Sequence, residues 1–188
     1  MKEFTTPDFL KDFADLVSED GLKTSNVWYH GTASGLVSSI QAQGLKGSGD
    51  ADLHQRQMKT LGTIGHEAVD QKDPVFLTQS KELADFWANA KAHTRSVYMG
   101  QEEKPVVFEV TLPEELNKQV ITDAGGAALV LEPGNIYLLW LGELYEANGH
   151  KLPELDYKMD RMDYMNRLGL AYCAVDIPAE NLMLLQPN

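Results

Sequence analysis

The chain has little cysteine, no long hydrophobic run and no excess of positive charge, and each absence excludes a class of protein. Cys173 is the one cysteine in 188 residues, so no internal disulfide can form and a reducing, cytoplasmic location is expected. No apolar stretch approaches the roughly 18 residues that a membrane-spanning helix requires, so we expect no membrane partner. The five histidines are scattered without the spacing of metal ligands, so the sequence predicts no metal site.

The chain is acidic, with a formal net charge of −12 and an isoelectric point near 4.7. Such a surface repels phosphate backbones, so non-specific binding to nucleic acids is not expected. The hydrophobic share of 43% and the length are typical of one globular domain with a sizeable core. We therefore predict a single domain over residues 1–188, with residues 1–24 as a helical lead-in.

Helices are predicted mainly in the first half of the chain. Residues 6–21 carry apolar side chains at helical spacing, and a second helix is expected over residues 34–44. A third helix is expected to begin at Ser80, which is a good capping residue. Residues 46–73 are polar with weak periodicity, which predicts a long connection of the functional or mobile kind.

Strands are predicted mainly in the second half of the chain. Residues 105–112 alternate apolar and polar side chains, as a half-buried strand does. Pro133-Gly134 separates two apolar runs within residues 128–140, which predicts a hairpin. Early helices and later strands indicate an α+β domain with largely antiparallel sheets. Further short strands are expected at 27–30, 74–78, 171–177 and 181–185, and a loop with a helix over 146–168.

Three segments, in order along the chain, carry functional information. The first is YHGT at 29–32, which places a histidine and a glycine at the end of a buried strand. The second is VFLTQSKELADFWA at 75–88, a strand followed by a helix that starts with serine. The third is AYCAVDIPAENLMLL at 171–185, two short strands with a link. Together they resemble the ADP-ribosyltransferase fold, in its diphtheria-toxin and poly(ADP-ribose) polymerase branch, with split antiparallel sheets and flanking helices.

The resemblance implies that the first segment binds NAD. In that family the histidine bonds the ribose next to adenine, the glycine backbone bonds the nicotinamide amide, and a hydroxyl lies near the nicotinamide ribose. Here these positions are His30, Gly31 and Thr32. The chemistry is reasonable, since a ribose diol needs a donor–acceptor side chain and a planar amide needs an unshielded backbone. The plainer alternative is a structural histidine beside a glycine that permits a turn.

The second segment is expected to complete the NAD site. Phe86 falls where the family places a tyrosine that stacks on nicotinamide, and phenylalanine keeps the aromatic face. Trp87 is adjacent, so an error of one residue in the match would change the residue but not the chemistry. Thr78 and Ser80, at the end of the strand and the start of the helix, are also expected to contact NAD. Phe86 and Trp87 have the alternative of being ordinary core residues.

The third segment lacks one residue type that the family carries. The family carries there a catalytic glutamate that holds the nicotinamide ribose and stabilises its positive charge, and this chain has Ala171 at that position. An alanine predicts little or no turnover, in a natural pseudo-enzyme or in a toxic enzyme whose acid was replaced. Glu143 and Asp163 are the alternatives that could substitute for the missing acid.

The function that the resemblance implies is transfer of ADP-ribose from NAD, with release of nicotinamide, to an unknown acceptor. The sequence does not distinguish between a protein side chain, a nucleic-acid base and a small molecule as the acceptor. We expect residues 46–73 to select it. A target protein or a neutralising protein is a further candidate partner. An NAD-dependent RNA 2′-phosphotransferase is the alternative within the fold, although the −12 charge opposes it. A non-catalytic acidic binding or inhibitory module is the alternative outside it.

Overall fold

The computed structural model describes residues 5–62, 73–123, 126, 135–154 and 169–185. Its centre is an antiparallel sheet of six strands in the order β6-β7-β4-β3-β5-β8, beside a separate two-stranded hairpin, β1-β2. The strands are β1 (Val17–Ser18), β2 (Gly21–Leu22), β3 (Val27–Ala33), β4 (Val75–Thr78), β5 (Pro105–Thr111), β6 (Val120–Thr122), β7 (Leu170–Cys173) and β8 (Leu182–Leu184).

The six-stranded sheet has two very different seams on either side of β3. Strand β3 pairs with β5 at seven positions, from Val27↔Thr111 to Ala33↔Pro105. On its other side, within the described residues, β3 pairs with β4 at one position, Tyr29↔Thr78. The sheet therefore consists of two three-stranded halves, β3-β5-β8 and β6-β7-β4, joined at a single pair.

Helices cover both faces of the sheet. The longest helix, Lys81–Met99, packs across β3 and β5. It begins at Ser80, whose Oγ accepts a hydrogen bond of 2.9 Å from the Leu83 N–H. It ends at Gly100, whose φ of 71° suits a left-handed helix cap. The helices are α1 (Phe13–Leu16), α2 (Val37–Gln43), α3 (Ala51–Gly62), α4 (Lys81–Met99), α5 (Glu114–Asn117) and α6 (Asn135–Ala147).

Three hydrophobic clusters lie among these layers, the smallest formed by Ala84, Ala88 and Val107 between α4 and the sheet. The first packs helices α4 and α6 and the N-terminal segment together, and includes Leu83 and Trp140. The second packs α2 against the sheet, and includes Ile40, Trp28 and Phe108. The α+β class and the antiparallel pairing predicted from the sequence are thereby confirmed. Among the described helices, none is both long and apolar enough to cross a membrane.

The predicted N-terminal helix is wrong in its extent. The segment forms a 3-10 turn at Asp8–Leu10 and the single turn α1, and then enters strand β1. Val17 pairs with Leu22 across a tight hairpin, where Gly21 adopts a φ of 136° that favours glycine. Because β-branched Val17 gains a strand partner and a buried position there, the hairpin is formed in place of a longer helix.

Two other segments predicted as loop or strand are helical. Residues 46–73 contain α3, a mostly polar helix in which Leu53 is buried. The predicted hairpin over 128–140 is contradicted by α6, in which Tyr137, Trp140, Leu141 and Leu144 are buried at helical spacing. The Pro133-Gly134 turn and the helix predicted within 155–168 lie outside the described residues.

The remaining local predictions agree with the structure, apart from the extent of two strands. Strand β3 continues through Gly31 to Ala33, so His30 lies inside the strand and not at its end, and the strand predicted at 171–177 ends at Cys173. Strands occur at 75–78 and 105–111, and α4 begins after Ser80 as expected. The helix predicted over 34–44 begins as a 3-10 turn and continues as α2 to Gly44, which has a φ of 81°. The single domain over 1–188 stays a prediction.

Candidate functional site

A cleft of about 850 Å³ opens beside the single pair that joins the two halves of the sheet. Its lining includes Tyr29–Thr32 of β3, residues 74–78 in and before β4, and Leu170 and Ala171 of β7. Residues of α2, α3 and α4 complete its walls. We call this cavity the central cleft. Its volume lies within the range of about 300–1,000 Å³ that is usual for small-molecule sites.

The central cleft brings together most of the site residues that were predicted from the sequence. Two of them, Ser80 and Phe86, are not among the residues that line it. The predicted site residues that do line it are His30, Gly31, Thr32, Thr78 and Ala171.

His30 spans the seam where the β3–β4 pairing stops. Its Nδ1 lies 2.8 Å from the carbonyl oxygen of Phe76 on β4. Burial lowers the pKa of the His30 imidazole below its ordinary value, although the hydrogen bond to that carbonyl acts in the opposite direction. At neutral pH the ring is therefore uncharged, with Nδ1–H donating to Phe76 and Nε2 left as an acceptor. A neutral acceptor is suited to a hydroxyl group of a ligand.

Gly31 is required by packing, independently of any ligand. A Cβ at this position would lie 2.0 Å from the carbonyl oxygen of Ala84 and 2.7 Å from the nitrogen of Ala88, both on α4. Both distances are shorter than real carbon contacts, and both atoms belong to the helix backbone. Glycine in β3 therefore allows α4 to lie directly on the strand, which fixes one wall of the central cleft.

The hydroxyl groups of Thr78 and Ser80 serve the start of α4. Thr78 Oγ1 accepts a hydrogen bond of 3.0 Å from the Ser80 N–H. Ser80 Oγ donates to Asp12 Oδ1 at 2.6 Å, and also caps the helix. Ser80 is fully buried, so the structure places it in a capping network, whereas Thr78 also reaches the cleft wall.

The structure places Trp87 rather than Phe86 in the central cleft. Phe86 stacks on Phe9, with ring centroids 4.2 Å apart and an interplanar angle of 22°. Its edge contact with Trp87 has a centroid distance of 5.1 Å. Successive residues of a helix point about 100° apart, so a sequence match that was uncertain by one residue could not decide which ring faces the cleft.

Ala171 lies in the middle of β7, buried between two neighbouring strands. It pairs with Leu77 of β4 and with Thr122 of β6. Of the two carboxylates suggested as substitutes for the missing acid, Glu143 is exposed on α6 and does not line the central cleft. Asp163 lies outside the described residues.

Asp123 is a cleft residue that the sequence did not indicate. It follows β6 directly, and its N–H donates a hydrogen bond of 2.8 Å to the carbonyl oxygen of Leu170. Its Oδ1 accepts a hydrogen bond of 2.8 Å from the Gly126 N–H. Asp123, Gly126 and Leu170 all line the central cleft. No sequence pattern marks this position, because the pairing of β6 with β7 joins distant segments.

A buried cluster of charges forms a further wall. Arg95 Nε lies 2.9 Å from Glu103 Oε2, and Arg95 Nη1 contacts Asp50 Oδ1. Lys91 Nζ lies 2.7 Å from Asp50 Oδ2, and Glu103 Oε2 accepts a hydrogen bond of 3.1 Å from the Gly35 N–H. Asp50 and Lys91 line the central cleft.

The cluster keeps its carboxylates ionised. Burial alone would raise the pKa of the Glu103 carboxyl, but the hydrogen bonds from Arg95 and Gly35 hold it below its ordinary value. Burial likewise opposes ionisation of Asp50, while Lys91 and Arg95 hold its pKa low. The sequence did not predict this cluster, because Asp50 was placed in a loop and its partners lie more than forty residues away.

No group of three or more His, Cys, Asp or Glu side chains in the described part of the chain is placed to hold a metal ion. The chain was also compared with family models, with curated proteins and with solved structures. None of the three comparisons finds a match.

Proposed function

We propose that the chain binds NAD in the central cleft and belongs to the ADP-ribosyltransferase type, in a form without glutamate at the acid position. The observation that carries the proposal is the opening between β3 and β4. It gathers His30, Gly31 and Thr32 of β3, and Thr78 and Ala171 on the strands across from it. This grouping agrees with the site that the three sequence segments imply.

The chemistry of the cleft fits the parts of a dinucleotide. His30 offers a neutral acceptor for a ribose hydroxyl, and Trp87 offers an aromatic face for the nicotinamide ring. Lys91, whose side chain is 32% exposed, brings a cation to the cleft wall. Its Nζ is paired with Asp50 Oδ2 at 2.7 Å, so a pyrophosphate bound here would share this cation with Asp50.

The proposed reaction breaks the bond between C1′ of the ribose and the nicotinamide nitrogen. The bonding electron pair leaves with nicotinamide, and the ribose becomes an oxocarbenium-like cation. A nucleophilic atom of the acceptor then bonds C1′ and loses its proton. The protein contributes by holding the two fragments in a reactive geometry and by favouring the cation.

The acceptor is expected to approach along α3. This helix lies within residues 46–73 and supplies Leu53, His54 and Gln57 to the lining of the cleft. A side chain of a protein, a nucleic-acid base or a small molecule is a suitable acceptor chemically. The net charge of −12 opposes an RNA 2′-phosphate, because gripping such a group needs several basic side chains.

Calorimetry with NAD tests the proposal. The unmodified chain is expected to bind NAD, and His30→Ala is expected to weaken binding by about 1–3 kcal/mol because a buried ligand hydroxyl loses its partner. His93→Ala is the matched control, since His93 is exposed on α4 and does not line the cleft. If the unmodified chain shows no heat of NAD binding, or folded His30→Ala binds as tightly as the control, the acidic binding module becomes the better interpretation.

A further inference from the structure

The proposed reaction creates a chemical requirement that Ala171 cannot meet. Breaking a glycosidic bond places positive charge on the ribose, and a carboxylate near that charge is the usual way to stabilise it. The methyl group of Ala171 carries no charge and accepts no hydrogen bond. The following inference rests on the proposed function, in which another carboxylate of the central cleft must stabilise the ribose cation.

In the described part of the chain, three carboxylates line the central cleft: Asp50, Asp73 and Asp123. Asp50 is engaged at both oxygens, by Arg95 at Oδ1 and by Lys91 at Oδ2. Removing it would take one of two carboxylate partners from buried Arg95 and the partner from Lys91, which is costly. Asp50 is therefore a structural carboxylate.

Asp73 lies too far along the sheet from Ala171. It precedes Leu77, the β4 partner of Ala171, by four residues. At about 3.3 Å for each residue of an extended chain, this places its backbone roughly 13 Å away along the strand direction. Asp73 is also exposed, and its N–H is tied to Ser48 Oγ at 2.7 Å.

Asp123 lies beside the acid position on the neighbouring strand. Thr122 pairs with Ala171, and the next residue, Asp123, donates its N–H to the carbonyl oxygen of Leu170 at 2.8 Å. Paired strands lie about 4.8 Å apart, so the Asp123 backbone is one strand spacing from the Leu170–Ala171 segment. Its side chain is half-buried at the cleft.

The local backbone orients this carboxylate. Oδ1 accepts a hydrogen bond of 2.8 Å from the Gly126 N–H. A Cβ at position 126 would lie 2.3 Å from Oδ2, so glycine at this position makes room for the second oxygen. The carboxylate is thus held by one oxygen, in a recess that a larger residue would fill.

We propose that Asp123 is the catalytic carboxylate of the central cleft and takes the place of a glutamate at position 171. Its negative charge faces the ribose as the C1′–nitrogen bond breaks and the electron pair leaves with nicotinamide. The acceptor, or water in its absence, then bonds C1′ and releases one proton, so that water yields ADP-ribose, nicotinamide and a proton. The chain as it stands is therefore expected to turn NAD over, contrary to the inactivity that Ala171 alone predicts.

The test measures nicotinamide release from NAD and, separately, NAD binding by calorimetry. Asp123→Asn is expected to lower the rate by about 10²–10³ while the Kd for NAD stays nearly unchanged. Glu143→Gln is the matched control and is expected to keep the full rate, since Glu143 is exposed outside the cleft. If Asp123→Asn does not fold, Asp123→Glu replaces it, because moving the same charge by one methylene is expected to lower the rate on the order of 10²-fold.

The outcomes separate this inference from the proposed function. Binding of NAD without nicotinamide release by the unmodified chain overturns the role of Asp123 and leaves the NAD site standing. The same holds if Asp123→Asn, or Asp123→Glu in its place, releases nicotinamide as fast as the control. Absence of NAD binding by the unmodified chain overturns both proposals.

Discussion

Strand β3 has one fully paired edge and one nearly unpaired edge, and the two edges carry different parts of the molecule. Along β5 it forms seven pairs, whereas along β4 it forms one. Along the paired edge the backbone groups of β3 are bonded to β5. Along the open edge the backbone of the same strand faces the central cleft, and His30 bridges to Phe76 across it. The candidate site thus lies where the ladder of hydrogen bonds between β3 and β4 stops.

The paired part of the fold is reinforced by the buried charge cluster, so breaking that cluster should have the largest effect. Arg95→Met leaves Glu103 and Asp50 without their shared partner. We expect a loss of about 3–5 kcal/mol in the free energy of unfolding, the usual result of removing one member of a buried pair. Urea unfolding measures it.

The matched control for Arg95 is Lys118→Met, which removes exposed ion pairs with Glu114 and Glu115. It is expected to cost less than about 1 kcal/mol. Equal losses for the two variants would mean that the buried cluster does not stabilise the fold.

Disrupting the contact between β3 and α4 should have the next largest effect on stability. Gly31→Ala places a methyl group against the backbone of Ala84, and overpacking of this kind costs about 1–3 kcal/mol or more. Gly142→Ala is the control, because a Cβ there meets nothing within 4 Å on α6. It should stabilise the chain by about 0.5–1 kcal/mol through helix propensity. The free energy of unfolding is expected to fall for Gly31→Ala and to rise for Gly142→Ala. Equal changes for the two variants would refute the close packing.

Low pH should lower the free energy of unfolding through protonation of Glu103. The pKa of Glu103 is lower in the folded chain than its ordinary value of about 4.3. The ionised carboxylate therefore stabilises the fold at pH values above about 4.3. That stabilisation is lost as pH falls from there through the folded pKa. Glu103→Gln cannot titrate, so its unfolding free energy should fall less steeply between about pH 5 and pH 3. Parallel curves for the two proteins would show that Glu103 does not contribute.

Substitutions beside the open edge should change the affinity for ligand rather than the stability of the fold, and by a smaller free energy. Trp87→Ala is expected to weaken nicotinamide binding by about 0.5–1.5 kcal/mol, because Trp87 lines the central cleft. Phe86→Ala should leave nicotinamide affinity unchanged and lower stability instead, since its ring stacks on Phe9. Calorimetry on both folded variants decides between them, and the opposite pattern would return the stacking role to Phe86.

Local signals in the sequence predicted the local parts of the fold. The alternation in residues 105–112 gave β5, and Ser80 marked the start of α4 through its capping hydroxyl. The apolar run that begins at Ile136 was ambiguous, because a short continuous run fits a strand or a buried helix equally well. Packing of Trp140 and Leu141 in the core decided for the helix.

Pairings between distant segments could not be predicted in the same way. The resemblance implies that position 171 lacks an acid, but the carboxylate beside it follows β6, some fifty residues earlier. The register that brings Asp123 to Leu170 is a property of the folded sheet. The same reason explains why Arg95, Asp50 and Glu103 were not recognised as a cluster.

The central claim is that the opening between β3 and β4 is an NAD site, and a crystal structure of the chain with NAD tests it most directly. The account predicts density for NAD in the central cleft, with a ribose hydroxyl bonded to His30 and the nicotinamide ring against Trp87. The nicotinamide ribose should lie nearest Asp123. A central cleft without NAD at saturating concentration, or NAD bound elsewhere on the chain, would contradict the account.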